Sequence, residues 1–259
     1  MSIPSVPSSL LPLVADCTWT PIGVGESRSD VFRLDGAERI AYLKISPASP
    51  VVELLAERER LDWLRGRLSV PQVLGYAAEG GVEFLMLSAI PGIDTSSSTL
   101  DMESLDVVGL LAQGLRMVHD VPTHDCPFDM TLERVIPLTE RNVSLGLVDV
   151  DDFDSERGGG SPGALFQVLV ATRPTSEDLV FTHGDYCLPN ILIDDGEISG
   201  FVDLGRAGVA DRYKDIALAV RSIRRNRGDA FVQPFLDEYG VQRSDADKIE
   251  YYMLLDEFW

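Results

Sequence analysis

The stretch His183-Gly184-Asp185-Tyr186-Cys187-Leu188-Pro189-Asn190 constrains this chain more than any other, because of what flanks it. Val180-Phe181 precedes it as a short strand, and Ile191-Leu192-Ile193 follows as another. Asp194-Asp195-Gly196 is a hairpin turn that returns the chain into a further strand, Ile198–Asp203, which runs on through Leu204-Gly205. A tight loop and a hairpin therefore set Asp185 at a strand end, Asn190 at the far side of the same loop, and Asp203 at the end of the next strand.

The chemistry of these three side chains is complementary. Asp185 can accept a proton from a hydroxyl, while Asn190 and Asp203 offer hard oxygen to a metal ion. Oxygen donors with few His or Cys suit Mg2+ and argue against zinc. Phosphoryl transfer needs this combination: an acceptor hydroxyl aimed in line at phosphorus, with charge on the transferring group neutralised. The order D-x-x-x-x-N, hairpin, D-x-G matches the catalytic and metal loops of kinases.

Upstream residues supply a partner for a nucleotide. Thr18-Trp19-Thr20, Asp30–Leu34 and Ile40–Ile45 read as strands, and Ser49-Pro50 opens a helix through about Arg67. Lys44 is the only lysine before residue 90 and lies on one strand face with Tyr42. An inward ammonium needs an anion. Nucleotide phosphates would provide one, with Tyr42 against the adenine ring. On the following helix Glu57 shares a face with Leu54, Leu61 and Leu64 and is the favoured counter-charge, with Glu53 and Glu59 as alternatives. Gly23-Val24-Gly25-Glu26-Ser27-Arg28 lies between two predicted strands as a phosphate-covering loop, where Ser27 would contact the phosphates.

Glu83–Leu87 is a further strand and runs into Ser88-Ala89-Ile90-Pro91-Gly92, a natural connector. We place a boundary there, giving residues 1–90 as a nucleotide-binding lobe and 91–259 as a catalytic and substrate-binding lobe. The second lobe reads as helices at Leu105–Val118, Gly163–Arg173, Asp211–Arg227 and Ser244–Phe258, with an acidic, Gly-rich loop at Asp149–Gly160. The expected class is α+β, a bilobal protein-kinase-like fold with a β-rich N-terminal lobe and a mainly helical C-terminal lobe.

Charge is divided unevenly between these lobes. The formal charge is −20; residues 1–90 hold 11 acidic and 8 basic side chains, and residues 91–259 hold 31 and 14. Such a field repels nucleic acid and anionic membrane surfaces and attracts cations. No apolar run reaches the roughly 18 residues of a membrane helix. Met1–Pro7 lacks the basic start of a signal peptide, and Cys17, Cys126 and Cys187 form no C-x-x-C pair. The expectation is a cytoplasmic protein with free thiols and no evident obligate protein partner.

With Ser199–Arg206, Ala210-Asp211-Arg212-Tyr213, Asp215-Ile216-Ala217 and the terminal Leu254-Leu255-Asp256-Glu257-Phe258-Trp259, the motif resembles the aminoglycoside 3′-phosphotransferases, over nearly the whole chain. The resemblance implies ATP, two Mg2+ ions and transfer to the 3′-hydroxyl of kanamycin- or neomycin-type antibiotics, and hence bacterial antibiotic resistance. By the same resemblance Asp185 is the catalytic base, Asn190 and Asp203 are the metal ligands, and Lys44 binds the α- and β-phosphates with Glu57 holding it. Backbone at Ser88, Ala89 and Ile90 reads the base edge. Arg206, Asp256, Glu257 and the terminal carboxylate of Trp259 line the drug site, and Asp152 and Glu156 face the drug from the 149–160 loop. Gly184 stands where protein kinases have the arginine of H-R-D, and no A-P-E follows Asp203, which implies constitutive action on a small molecule. The alternatives are a kinase for another small alcohol, such as choline or homoserine, and a non-catalytic nucleotide-binding pseudokinase.

Overall fold

The computed structural model describes residues 4–259 except 23–28, 50–53, 152, 155, 156, 158 and 242. The chain divides into two compact units, Met1–Pro91 with Gly200–Gly205, and Gly92–Ser199 with Arg206–Trp259. The segment carrying Asp203 thus groups with the N-terminal residues, a return that a single linear boundary does not contain.

The first unit is built on a five-stranded antiparallel sheet in the order β1-β2-β3-β5-β4. Its strands are β1 (Thr18–Ile22), β2 (Asp30–Asp35), β3 (Ile40–Pro47), β4 (Val73–Glu79) and β5 (Val82–Ser88). Alternation along β3 decides the layers. Ala41 and Leu43 are buried with Leu34, Phe84 and Met86 against Leu10 and Val14, the latter on the short helix α1 (Leu11–Val14). Each fully buried Leu or Met here contributes about 1.5–3 kcal/mol over an exposed one. The opposite face carries Tyr42 and Lys44, and β3 registers Lys44 against Leu85 of β5. Helix α2 (Leu54–Leu64) buries Leu54, Glu57, Leu61 and Leu64.

The second unit is mainly helical. Its helices are α3 (Ser104–His119), α4 (Leu132–Ser144), α5 (Pro162–Ala171), α6 (Tyr213–Asn226), α7 (Val232–Tyr239) and α8 (Ala246–Asp256). Two small sheets punctuate it: β7 (Leu179–Thr182) with β10 (Gly208–Asp211), and β6 (Ile93–Asp94) beside β8 (Ile191–Asp194) and β9 (Glu197–Phe201). The β8–β9 turn has Asp195 at φ 51° and Gly196 at φ 79°, the left-handed pair that an Asp-Gly hairpin requires.

Several boundaries differ from the sequence reading, each for a local reason. α2 stops at Leu64 rather than Arg67 because Gly66 turns left-handed at φ 77°. The helix expected from Asp211 starts at Tyr213, since Asp211 ends β10 and its carboxylate accepts the Tyr213 N–H at 3.0 Å. The terminal helix is shorter than Ser244–Phe258: Asp245 caps it by accepting from Lys248 N at 3.0 Å, and it ends at Asp256. The strand expected over Ile198–Asp203 ends at Phe201. β4, α4 and α7 were not anticipated. Pro137 inside α4 and Pro234 in the first turn of α7 mask their periodicity.

Candidate active site

Within the first unit, Lys44 Nζ donates to both oxygens of Glu57, at 2.8 and 2.9 Å, and also contacts Asp203 Oδ1. Among the three glutamates considered, Glu53 lies outside the described residues and Glu59 is exposed, while Glu57 is 4% exposed. Burial acts against the Lys44 ammonium, but the charges of Asp203 and Glu57 outweigh it and raise its pKa, so it stays protonated. For Glu57 burial is the larger influence and pushes its carboxyl upward against the pull of Lys44. Asp203 itself sits two residues beyond β9 in the left-handed region, φ 62°. That conformation is uncommon for a side chain other than glycine and tends to mark functional sites.

Ser88 and Ala89, expected to read a base edge with Ile90, already use their N–H groups inside the unit. Ser88 donates to Gln72 O at 2.9 Å and Ala89 to Ile40 O at 3.3 Å. A donor role for either would require that bond to open. Tyr42 is partly buried on the Lys44 side of β3. Gly23–Arg28, with Ser27, lies outside the described residues.

In the second unit the loop between β7 and β8 presents Asp185, whose side chain is 28% exposed. Asn190 Nδ2 donates to Asp185 O and to Asp185 Oδ2, both at 3.0 Å, which fixes the carboxylate across the loop. Arg206 Nη2 lies 3.5 Å from Asp185 Oδ1. The loop is anchored from beneath. Asp215 of α6 accepts from the His183 N–H at 2.7 Å and the Gly184 N–H at 2.8 Å, and its Oδ2 also meets His119 Nε2 at 3.2 Å. Burial would raise the Asp215 pKa, yet these donors more than offset it and hold the carboxyl below its usual range. Leu188 N donates to Ser222 Oγ at 3.0 Å, and Tyr186 OH to Leu111 O at 2.7 Å.

Gly184 is required on two counts. Its φ is 86°, and a Cβ would lie 2.1 Å from Arg206 O. The position that holds arginine in H-R-D therefore has no room for a side chain in this chain.

The C-terminal acids are bonded to arginines of the chain itself. Asp256 accepts from Arg206 Nη1 at 2.7 Å and also bonds Arg221, and these two cations pull its carboxyl down despite burial. Glu257 accepts from Arg157 Nη1 at 2.8 Å and from Asp154 N at 3.0 Å. The unfavourable helix-end position of both acids is thus offset by the chain's own arginines. Trp259 is partly buried after Phe258, whose carbonyl accepts from Asn142 at 3.3 Å. Asp152 and Glu156 lie outside the described residues.

The donor chemistry fits a magnesium-bound nucleotide. Asn190 directs its amide nitrogen at Asp185, which leaves the amide oxygen for a cation, and Asp203 is a half-exposed carboxylate. No group of three or more His, Cys, Asp or Glu side chains forms a metal cage among the described residues. Carboxylate and amide oxygens, completed by phosphate and water, are the kind of ligand that Mg2+ takes.

Asp215, His119 and Ser222 were not assigned roles from sequence. Asp215 lay in a noted motif, but nothing in the spacing of His119 distinguishes it from an ordinary histidine at the end of an apolar helix.

The signature of the phosphotransferase enzyme family matches residues 18–252. An aminoglycoside 3′-phosphotransferase of Niallia circulans is 42% identical over 98% of this chain and 97% of its own length. Among solved structures, the aminoglycoside-3′-phosphotransferase of type VIII superposes with a TM-score of 0.88 at 36% identity, over 97% of both chains. The aminoglycoside phosphotransferase APH(3'')-Id from Streptomyces rimosus, in complex with ADP and streptomycin, gives 0.79 at 30% identity, over 96% of this chain and 95% of that one. Full-length similarity to these proteins, together with the Asp185–Asn190 loop and the Lys44–Glu57–Asp203 cluster, establishes that the chain belongs to the phosphotransferase enzyme family, among the aminoglycoside 3′-phosphotransferases.

Proposed function

We propose that the protein transfers the γ-phosphoryl group of ATP to the 3′-hydroxyl of kanamycin- or neomycin-type aminoglycosides and thereby confers resistance. The observation that carries this is 42% identity to an aminoglycoside 3′-phosphotransferase along nearly the whole chain. Asp185 accepts the proton of the attacking hydroxyl, held for that task by the Asn190 amide and by the Asp215-anchored backbone. Lys44, kept cationic by Glu57, binds the nucleotide phosphates, and Tyr42 lies against the adenine ring. Asn190 and Asp203 would each offer an oxygen to Mg2+, which would supply charge neutralisation at the phosphates.

On the acceptor side, a net charge of −17 over residues 91–259 draws in a polyamine sugar. The acids Asp152, Glu156, Asp256 and Glu257 pair with its ammonium groups, Trp259 contributes to the same drug site, and Arg206 orients the hydroxyl beside Asp185. For Asp256 and Glu257 the drug's amines share carboxylates with Arg206, Arg221 and Arg157, so drug binding and these internal ion pairs compete. With ATP as donor, the reaction belongs to the cytoplasm. Among the described residues no helix is long and apolar enough to cross a membrane.

The test is ADP release by the purified protein with kanamycin, streptomycin, choline and homoserine in turn. Turnover with kanamycin is the expected result. Turnover with choline or homoserine and none with kanamycin would assign the site to another alcohol, and no turnover with any acceptor would favour a nucleotide-binding module.

A further inference from the structure

In the first unit a second buried carboxylate stands behind Glu57. Glu83, on β5, is 7% exposed and accepts from two backbone N–H groups and a tyrosine hydroxyl. Its Oε2 accepts the Leu54 N–H at 3.1 Å and its Oε1 the Leu55 N–H at 3.3 Å. The Tyr76 hydroxyl of β4 donates to Oε1 at 2.5 Å. Leu54 and Leu55 begin the described part of α2, and Glu57 follows within its first turn. Glu83 therefore ties two backbone N–H groups in the first described turn of α2 to β5.

The same strand fixes Lys44. β5 registers Leu85 against Lys44 and Glu83 against Ser46, so Glu83, Leu85 and Lys44 occupy one face of the sheet. One strand thus holds both ends of a short lever. Through the ladder it sets the height of Lys44, and through the Glu83 carboxylate it sets the start of α2. From there Glu57 lies about 4.5 Å further along the helix axis. Lys44 Nζ meets both Glu57 oxygens within 2.9 Å, a geometry that a slip of one residue, about 100° of helix rotation, would abolish. The apolar contacts of Leu61 and Leu64 are non-directional and do not by themselves specify that rotation.

We propose that Glu83 is a positioning residue for nucleotide binding: its carboxylate fixes the axial setting of α2 and so places Glu57 to hold Lys44 on the phosphates. The inference rests on Lys44 as the phosphate ligand. Tyr76, by donating to the same oxygen, orients the carboxylate toward the helix.

The experiment is calorimetric titration of the full-length protein with ATP and Mg2+, comparing wild type, Glu83→Gln, Tyr76→Phe, Glu57→Gln, Glu83→Gln/Glu57→Gln and Lys44→Ala. Glu83→Gln keeps the shape but removes the charge. Its ATP Kd should rise about tenfold, the weight of one charge-assisted hydrogen bond. Tyr76→Phe should shift Kd in the same direction by less. In the Glu57→Gln background the Glu83 substitution should add less than about twofold, because its effect passes through Glu57. KM for the aminoglycoside should stay within twofold in Glu83→Gln. A lowered Tm with unchanged ATP Kd would make Glu83 structural only and overturn the proposal, as would a full additional tenfold loss in the Glu57→Gln background. Lys44→Ala separates the premise: unchanged Kd in that variant refutes the reading of Lys44 itself, whereas a raised Kd there with none in Glu83→Gln refutes Glu83 alone. Should Glu83→Gln fail to fold, Tyr76→Phe decides by the same Kd criterion.

Discussion

Replacing Lys44 by Met strips the cation from two carboxylates of unequal burial. Glu57 has a side chain 5% exposed, whereas that of Asp203 is 50% exposed. Water screens the second, so its loss counts for little in stability. The stranded Glu57 charge dominates, and breaking a buried pair from one side costs about 3–5 kcal/mol. At about 2–4 °C per kcal/mol for a chain of this size, Tm should fall by at least about 6 °C. The remedy is specific. Lys44→Met/Glu57→Leu removes the stranded charge as well and should recover most of the loss, with a coupling energy above about 1 kcal/mol.

The pH dependence of the single variant follows from the same geometry. Without Lys44, the Glu57 carboxyl rises further above its ordinary value of 4.5. The folded state then holds a proton that the unfolded state has released, so stability falls as pH rises through that window. Lys44→Met should therefore be further below wild type at pH 8 than at pH 5 in thermal unfolding. If the double variant loses the sum of the two single losses, with no pH-dependent gap, the buried pair does not exist as described.

Three further outcomes follow from the Asp185 loop. Asp185→Ala should lower kcat by about 10²–10⁴-fold with little change in Tm, checked by steady-state kinetics; near-normal turnover would remove it as the base. Gly184→Ala places a Cβ 2.1 Å from Arg206 O at φ 86° and should cost at least about 2 kcal/mol in urea unfolding. Asp215→Asn removes the charge that accepts two backbone N–H groups, and should lower stability at pH 7 by on the order of 3 kcal/mol together with a fall in kcat. The depressed Asp215 pKa means its contribution is complete above about pH 4 and fades as pH falls through the native value, so the variant's deficit should shrink in acid.

Much of this arrangement is legible in the residues themselves. The Asp-Gly turn between β8 and β9, the alternation that buries Ala41 and Leu43, and the solitary N-terminal lysine are local signals, and the fold keeps each of them. Long-range pairings left no such trace. Neither Asp215 beneath His183 and Gly184 nor Glu83 at the start of α2 belongs to a periodic pattern, because their partners are backbone N–H groups that any sequence would supply. The C-terminal acids show the converse. Their charge is plain in the sequence, but their compensation by Arg206, Arg221 and Arg157 depends on segments 35 to 100 positions away. Proline hid α4 and α7 for a simpler reason: a breaker residue outweighs a modest apolar stripe when only local preference is available.

The most direct measurement is the position of the phosphate on the product, read by NMR after incubation with ATP and kanamycin, with a 3′-deoxy aminoglycoside and streptomycin alongside. A single phosphate on the 3′-oxygen of kanamycin and none on the 3′-deoxy drug is the predicted result. Phosphorylation of the 3′-deoxy drug, or of streptomycin with kanamycin left untouched, would contradict it.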